Sequence, residues 1–123
     1  DIDKLMVFNP RRDDWDSSIV QSIDSPKFRE QVDWELQALE DADIVVMYFD
    51  PKTKSPITLM ELGIFCNSTK MLVYCPDGFY RKGNVDIVCD RYKVDNVNSW
   101  DDFVKKIRLK ISKKAYFKLR TGH

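Results

Sequence analysis

Glu61 lies in Ile57-Thr58-Leu59-Met60-Glu61-Leu62-Gly63-Ile64-Phe65-Cys66, a stretch with no other charge. Read as a helix, the segment is apolar on nearly every side, which predicts burial. The neighbours of Glu61 one turn away are Ile57, Thr58, Ile64 and Phe65, none of them basic, so no ion pair along the helix accounts for the acid. A carboxylate in apolar surroundings costs several kcal/mol unless local groups stabilise it, and acids so placed more often carry chemistry than packing.

A second acid stands in a similar place. Along a helix starting near residue 27, winding 100° per residue from Phe28, Leu39 falls about 20° away, Val32 about 40° and Leu36 about 80°. Glu35 falls about 20° to the other side, inside the apolar stripe rather than at its edge. Either acid can instead bury its stem and expose its head. Two inward carboxylates near one crevice suit glycosyl chemistry, in which one attacks an anomeric carbon and a second group manages the proton.

Absences prune other chemistries. His123 is the only histidine, which argues against Ser-His-Asp, Cys-His and His-ligated metal sites. Cys66, Cys75 and Cys89 lack metal-ligand spacing and read as reduced thiols of a cytoplasmic protein, Cys66 and Cys75 in the core. The glycines at 63, 78, 83 and 122 build neither a P-loop nor a GxGxxG turn. No metal and no cofactor is expected.

The elements that must hold these residues follow from apolar runs and stop signals. Leu5-Met6-Val7-Phe8, closed by Asn9-Pro10, reads as a buried strand, and residues 9–25 as loop. Ser25-Pro26 signals a helix start, with the helix running to about Asp41. Ile44 to Phe49 is a second strand, ended by Asp50-Pro51, and Ser55-Pro56 opens the Glu61 helix. Met71 to Cys75 is a third strand, and Val85-Asp86-Ile87-Val88 a short fourth. A basic amphipathic helix over about 99–118 closes the chain, with Phe103, Ile107 and Ile111 on one face.

Strands alternating with helices predict one α/β domain over residues 1–123 with a parallel sheet. Ligands of such sheets bind beyond the carboxyl ends of the strands, which places Ser55 and the start of the Glu61 helix at the ligand edge. Free N–H groups there suit an anionic or hydroxyl-rich ligand. Asn9, Arg11 and Arg12 follow the first strand at the same edge. The two guanidiniums can clamp a phosphate or pair with Asp13, Asp14 or Asp16. Trp15 can stack on a base, whereas core packing is expected of Trp34.

At 123 residues the chain has room for a core, and no apolar run reaches the length of a membrane span. It opens on Asp1 rather than Met, which reads as a processed chain or a fragment. Net charge is zero, but residues 1–50 hold 13 acids and 5 bases while the remainder holds 7 acids and 15 bases. The basic tail reads as a solvated helix face complementing the acidic half rather than as a nucleic-acid surface.

The set Phe8-Asn9-Pro10-Arg11-Arg12-Asp13-Asp14-Trp15, Gln31-Val32-Asp33-Trp34-Glu35-Leu36, Ala42-Asp43-Ile44, Ser55 to Gly63, and Gly78 to Asp86 resembles the nucleoside 2-deoxyribosyltransferase superfamily, in its nucleoside 2-deoxyribosyltransferase-like branch. The resemblance implies a flavodoxin-like three-layer fold and cleavage or exchange at the N-glycosidic bond of (deoxy)nucleosides or their 5′-monophosphates. It puts Glu61 at the position of the nucleophile that forms a covalent glycosyl-enzyme. Glu35 falls where relatives carry an active-site Asp. Ser55 falls where the transferases have Asp and the nucleotide hydrolases a phosphate-contacting Ser, which tilts the substrate toward a nucleotide. It also implies a homodimer in which Asn84 or Asp86 completes the partner's site.

One departure stands out. The family fold opens with a strand and loop that line the sugar and phosphate pocket, and this chain begins at what looks like the second strand. The first βα unit is therefore expected to be missing, or its place to be taken by another segment or chain. The rival readings are a non-catalytic nucleotide-sensing module and an NAD glycohydrolase.

Overall fold

The computed structural model describes residues 7–8, 20–112 and 117–121, with side chains described for 20–112. In chain order the elements are β1 (Val7–Phe8), α1 (Pro26–Asp41), β2 (Ile44–Tyr48), α2 (Pro56–Phe65), β3 (Met71–Tyr74), α3 (Lys82–Tyr92), β4 (Asp95–Val97), α4 (Trp100–Ile111) and β5 (Phe117–Thr121).

The strands form one sheet in the order β1-β5-β2-β3-β4, and every pairing is parallel. β5, the last of these strands in chain order, stands between β1 and β2. It pairs with β2 from Ile44↔Phe117 to Tyr48↔Thr121 and with β1 at Val7↔Phe117 and Phe8↔Lys118. The flavodoxin-like sheet has the order 2-1-3-4-5. Counting β5 as its first strand reproduces that order, so the place expected to be empty is filled from the far end of the same chain.

Two cores sit on the two faces. On one, α1, α2 and α3 contribute Leu39, Leu62, Phe65, Val85 and Cys89 against Val45, Met47, Phe49 and Val73. On the other, α4 lays Phe103, Ile107 and Ile111 over Ile44, Val46, Leu72 and Val97. The alternation of Ile44 and Val46 with Val45 and Met47 is the period of two that a strand buried on both faces requires. Burying each such side chain stabilises the fold by about 1.5–3 kcal/mol. Cys66 and Cys75 are in the core, as the sequence predicts.

Three expectations need correction. Val85-Asp86-Ile87-Val88 is helical, inside α3: Val85 and Cys89 point inward one turn apart while Ile87 faces water, so a helical period wins over β propensity. The last helix stops at Ile111 rather than near 118, and residues 117–121 are strand. Trp34 is half-exposed, not core. Among the described residues no helix is long and apolar enough to cross a membrane.

Candidate active site

α2 is turned opposite to what its composition suggests. A helix apolar on nearly every side is expected to be buried all round, but only Thr58, Glu61, Leu62 and Phe65 are buried, with Leu59 partly buried against the same core. Glu61 is 2% exposed, whereas Met60 is 58% and Ile64 56% exposed. The helix thus puts its one acid inward and an apolar strip outward. Hydrophobic burial alone favours the reverse.

Glu35 is also buried, on the inward stripe of α1 with Gln31, Ala38 and Leu39, as the helical period predicts. Gln31 Nε2 donates to Glu35 Oε1 at 3.1 Å, one turn away. α1 and α2 contribute to the same core cluster through Leu39 and Leu62, so both acids enter from the same face of the sheet.

The start of α2 lies just past the carboxyl end of β2. Ser55 sits at the helix N-cap in the left-handed region, φ 46° and ψ 50°, and is buried. For a residue other than glycine that conformation costs on the order of 1–3 kcal/mol. The loop before it is tied down. Asp50 Oδ1 accepts from Lys52 N at 2.9 Å, and the Asp50 carbonyl accepts from Thr53 N and Thr53 Oγ1, both at 2.9 Å. Thr53 Oγ1 lies 2.6 Å from Ser55 Oγ. A hydroxyl has one proton, and that of Thr53 goes to Asp50, so Ser55 is the donor in this contact. Ser55 therefore makes no side-chain cap to its own helix. Its hydroxyl must leave Thr53 to donate to a ligand, or meet one through its lone pairs.

The loop after β3 packs beside this one. Phe79 lies 5.0 Å from Phe49, centroid to centroid, and Lys54 Nζ sits 4.3 Å over the Tyr80 ring. Gly78, at φ +95°, supplies the turn that an L side chain rarely adopts. Lys52, Lys54 and Arg81 are exposed around this rim and Lys82 is half-buried, giving it a cationic character suited to an anionic ligand.

Lys82 and Asp86 form a tie rather than an open pair. Lys82 Nζ donates to Cys75 O at 2.9 Å and lies 3.0 Å from Asp86 Oδ2, while Asn96 Nδ2 donates to Asp86 Oδ1 at 3.0 Å. Burial alone would lower the Lys82 pKa, but the hydrogen bond and charge of Asp86 raise it, so the ammonium stays charged. Asn96, which sequence reasoning passed over, joins β4 to α3 in this way. Its only signal is its place in a polar strand too short to read. Asn84 is exposed at the start of α3. Asn9, Arg11 and Arg12 lie outside the described residues.

A cavity of about 420 Å³, lined by Ala42, Asp43, Thr69, Lys70 and Leu109 among others, opens at the amino ends of β2 and β3, opposite the rim that carries Ser55. Lys70 serves structure there, its Nζ donating to Leu39 O at 2.6 Å and Glu40 O at 2.9 Å at the end of α1. Among the described residues no three His, Cys, Asp or Glu side chains cluster to hold a metal.

Comparison with known protein families gives a match over residues 2–79 to the family described as nucleoside 2-deoxyribosyltransferase like. The match takes in both buried acids, Ser55 and the loop that carries Gly78. No curated protein matches the chain.

Proposed function

The chain belongs to the nucleoside 2-deoxyribosyltransferase-like family, and on that premise we propose that it cleaves or exchanges the N-glycosidic bond of a (deoxy)nucleoside or nucleoside 5′-monophosphate, with Glu61 as nucleophile. The observation that carries the reading is the inward turn of α2, which buries Glu61 while leaving Met60 and Ile64 in water. An acid held inward at that cost, on a helix that starts at the ligand edge, fits a reacting group better than a packing one.

In the first step a Glu61 carboxylate oxygen attacks C1′ of the sugar. The C1′–N bond breaks and its electron pair leaves with the base, which takes up a proton. In the second step water or an incoming base attacks C1′ and frees the Glu61 carboxylate. Glu35, held by Gln31, positions the sugar or passes the proton. Ser55, the uncapped start of α2 and the cations at 52, 54, 81 and 82 receive the 5′ end, with Arg11, Arg12 and Asn9 as further candidates. The exposed strip Ile57, Met60 and Ile64 supports a homodimer, in which exposed Asn84 is the candidate to complete the partner's site; Asp86 would have to give up its tie to Lys82 to do so.

The test is base release from deoxynucleoside monophosphates, followed by chromatography, in the parent and in Glu61→Gln. Release should fall by at least about three orders of magnitude in the variant, as expected for loss of a nucleophile. Equal nucleotide affinity in both proteins with no release in either would instead identify a sensing module. Nicotinamide release from NAD would identify a glycohydrolase of that cofactor.

A further inference from the structure

Two of the cations on the carboxyl rim are gathered by one ring. Lys54 comes from the loop after β2, and its Nζ sits 4.3 Å over the centroid of Tyr80. Arg81 comes from the loop after β3, with its Cζ 5.5 Å over the same ring. The ring itself is anchored. Tyr80 stands edge-on to Phe79 at 5.1 Å and 64°, and Phe79 packs against the fully buried Phe49. The two loops meet at Gly78, where an added Cβ would already be in contact with Pro51, at 3.6 Å. Tyr80 is 47% exposed, so the ring holds both charges at the surface.

Structure alone does not call for cations here. Lys54 directly precedes Ser55, the N-cap of α2, and Arg81 is the N-cap of α3. Each therefore stands at the positive end of a helix dipole, where an acid is favoured and a base is not. Neither helix has an acid in its first turn to offset them. Among the described residues neither cation pairs with a carboxylate, whereas Arg29, Lys82, Lys106 and Lys110 each do. A ring attracts a cation without neutralising it, so Tyr80 brings two like charges together and leaves both uncancelled. An anion placed between them relieves that repulsion. The acids of the same two loops are Asp50 and Asp77, and Asp50 Oδ1 already accepts from Lys52 N.

This pair lies on the face that Glu61 enters. Phe49 and Phe79 belong to the same core as Leu62, the next residue after Glu61 on α2. Glu61 follows the N-cap by about 9 Å along the helix axis, and helical side chains lean back toward that start. A phosphate on the two cations and an anomeric carbon at the acid are thus the two ends of one sugar phosphate.

We propose that Lys54 and Arg81, gathered by Tyr80, clamp the 5′-phosphate, so that the chain acts on nucleoside 5′-monophosphates in preference to free nucleosides. This rests on the N-glycosidic reading above and decides between its two substrate classes. The family match ends at residue 79, so it assigns nothing to Tyr80 or Arg81.

The test uses the full chain and 2-deoxyribose 5-phosphate, which carries the phosphate without a base, with calorimetry as the readout. The sugar phosphate should bind more tightly than inorganic phosphate, and its affinity should fall as salt rises. Lys54→Ala and Arg81→Ala, both at exposed positions, should each weaken it about tenfold or more, as expected for a hydrogen bond to a charged group. Tyr80→Leu keeps both cations without the ring and should weaken it by a smaller factor. Lys105→Ala removes an exposed cation of α4, on the other face of the sheet, and should change nothing. No binding by the parent, no loss in the Lys54 and Arg81 variants, or an equal loss in Lys105→Ala overturns the clamp. Base release should be faster from deoxynucleoside 5′-monophosphates than from the free deoxynucleosides. Equal release from both overturns the clamp and leaves the N-glycosidic reading standing. Sugar phosphate held through Lys54 and Arg81, with no base released from any of these compounds, supports the clamp and overturns that reading.

Discussion

Placing a proline in β5 tests the central position of that strand. Successive backbone amides of a strand point alternately to its two neighbours, so of Lys118→Pro and Leu119→Pro one must remove an N–H aimed at β2. β2 is buried where these residues pair with it: Val45 and Val46, the partners of Lys118 and Leu119, are fully covered. The lost hydrogen bond costs about 0.5–1.5 kcal/mol, and a β2 carbonyl stranded away from water about 1–3 more, so about 2–4 kcal/mol in all. For a chain of this size that lowers Tm by roughly 8–16 °C. Urea unfolding followed by circular dichroism, with a thermal melt beside it, reads both quantities. A chain end lying off the sheet would accept either proline with a change within about 0.5 kcal/mol. If both variants behave so, β5 is not the central strand and the sheet order given above is wrong.

Two further outcomes follow from the core and the helix ends. Burial pushes the Cys75 thiol up to about 11 and that of Cys89 to about 12 from an ordinary 9.0. A raised thiol pKa means the folded state holds its proton longer, so this stabilisation is complete below about pH 9 and is lost as pH rises through the two folded values, by up to about 1.4 kcal/mol per pH unit for each thiol. The urea midpoint should therefore decline above pH 9, and neither thiol should react with a disulfide reagent at pH 8. Rapid labelling of Cys75 or Cys89 at pH 8 with the circular dichroism unchanged would count against their burial. Lys70→Met removes the ammonium that closes the end of α1 through Leu39 O and Glu40 O. At a half-exposed site this should cost about 1 kcal/mol in the same urea assay, and a variant as stable as the parent would show that water replaces the ammonium without loss.

Much of this fold is legible from short apolar runs and the residues that stop them. Ser25-Pro26 and Ser55-Pro56 mark the starts of α1 and α2, although neither serine caps its helix through its side chain. Glu35 and Glu61 are legible as inward acids because helical periodicity is geometric and does not depend on what a residue would prefer. α3 was hidden by β-branched residues whose helical spacing, Val85 with Cys89, extends beyond the run that looked like a strand. β4, Asp95-Asn96-Val97, is a short edge strand with too little apolar character to register. β5 carries the alternation Phe117-Lys118-Leu119-Arg120-Thr121, a strand signal, but the lysines before it extend the helix pattern over it. A central parallel strand is expected to be continuously apolar, and this one is not. The outward strip of α2 was hidden for a different reason. Composition shows that a helix is apolar but not which stripe it presents.

The position of β5 also bears on how the chain comes together as it is made. It is synthesised after every strand it must stand between, and its pairing with β1 joins residues more than a hundred positions apart. Until it is released, the edge of β2 that it covers, lined by buried β-branched residues, lacks this partner. Such non-local closure slows folding and leaves an unpaired edge exposed meanwhile. Nascent or C-terminally nicked chains should therefore be the species that chaperones hold and proteases clear.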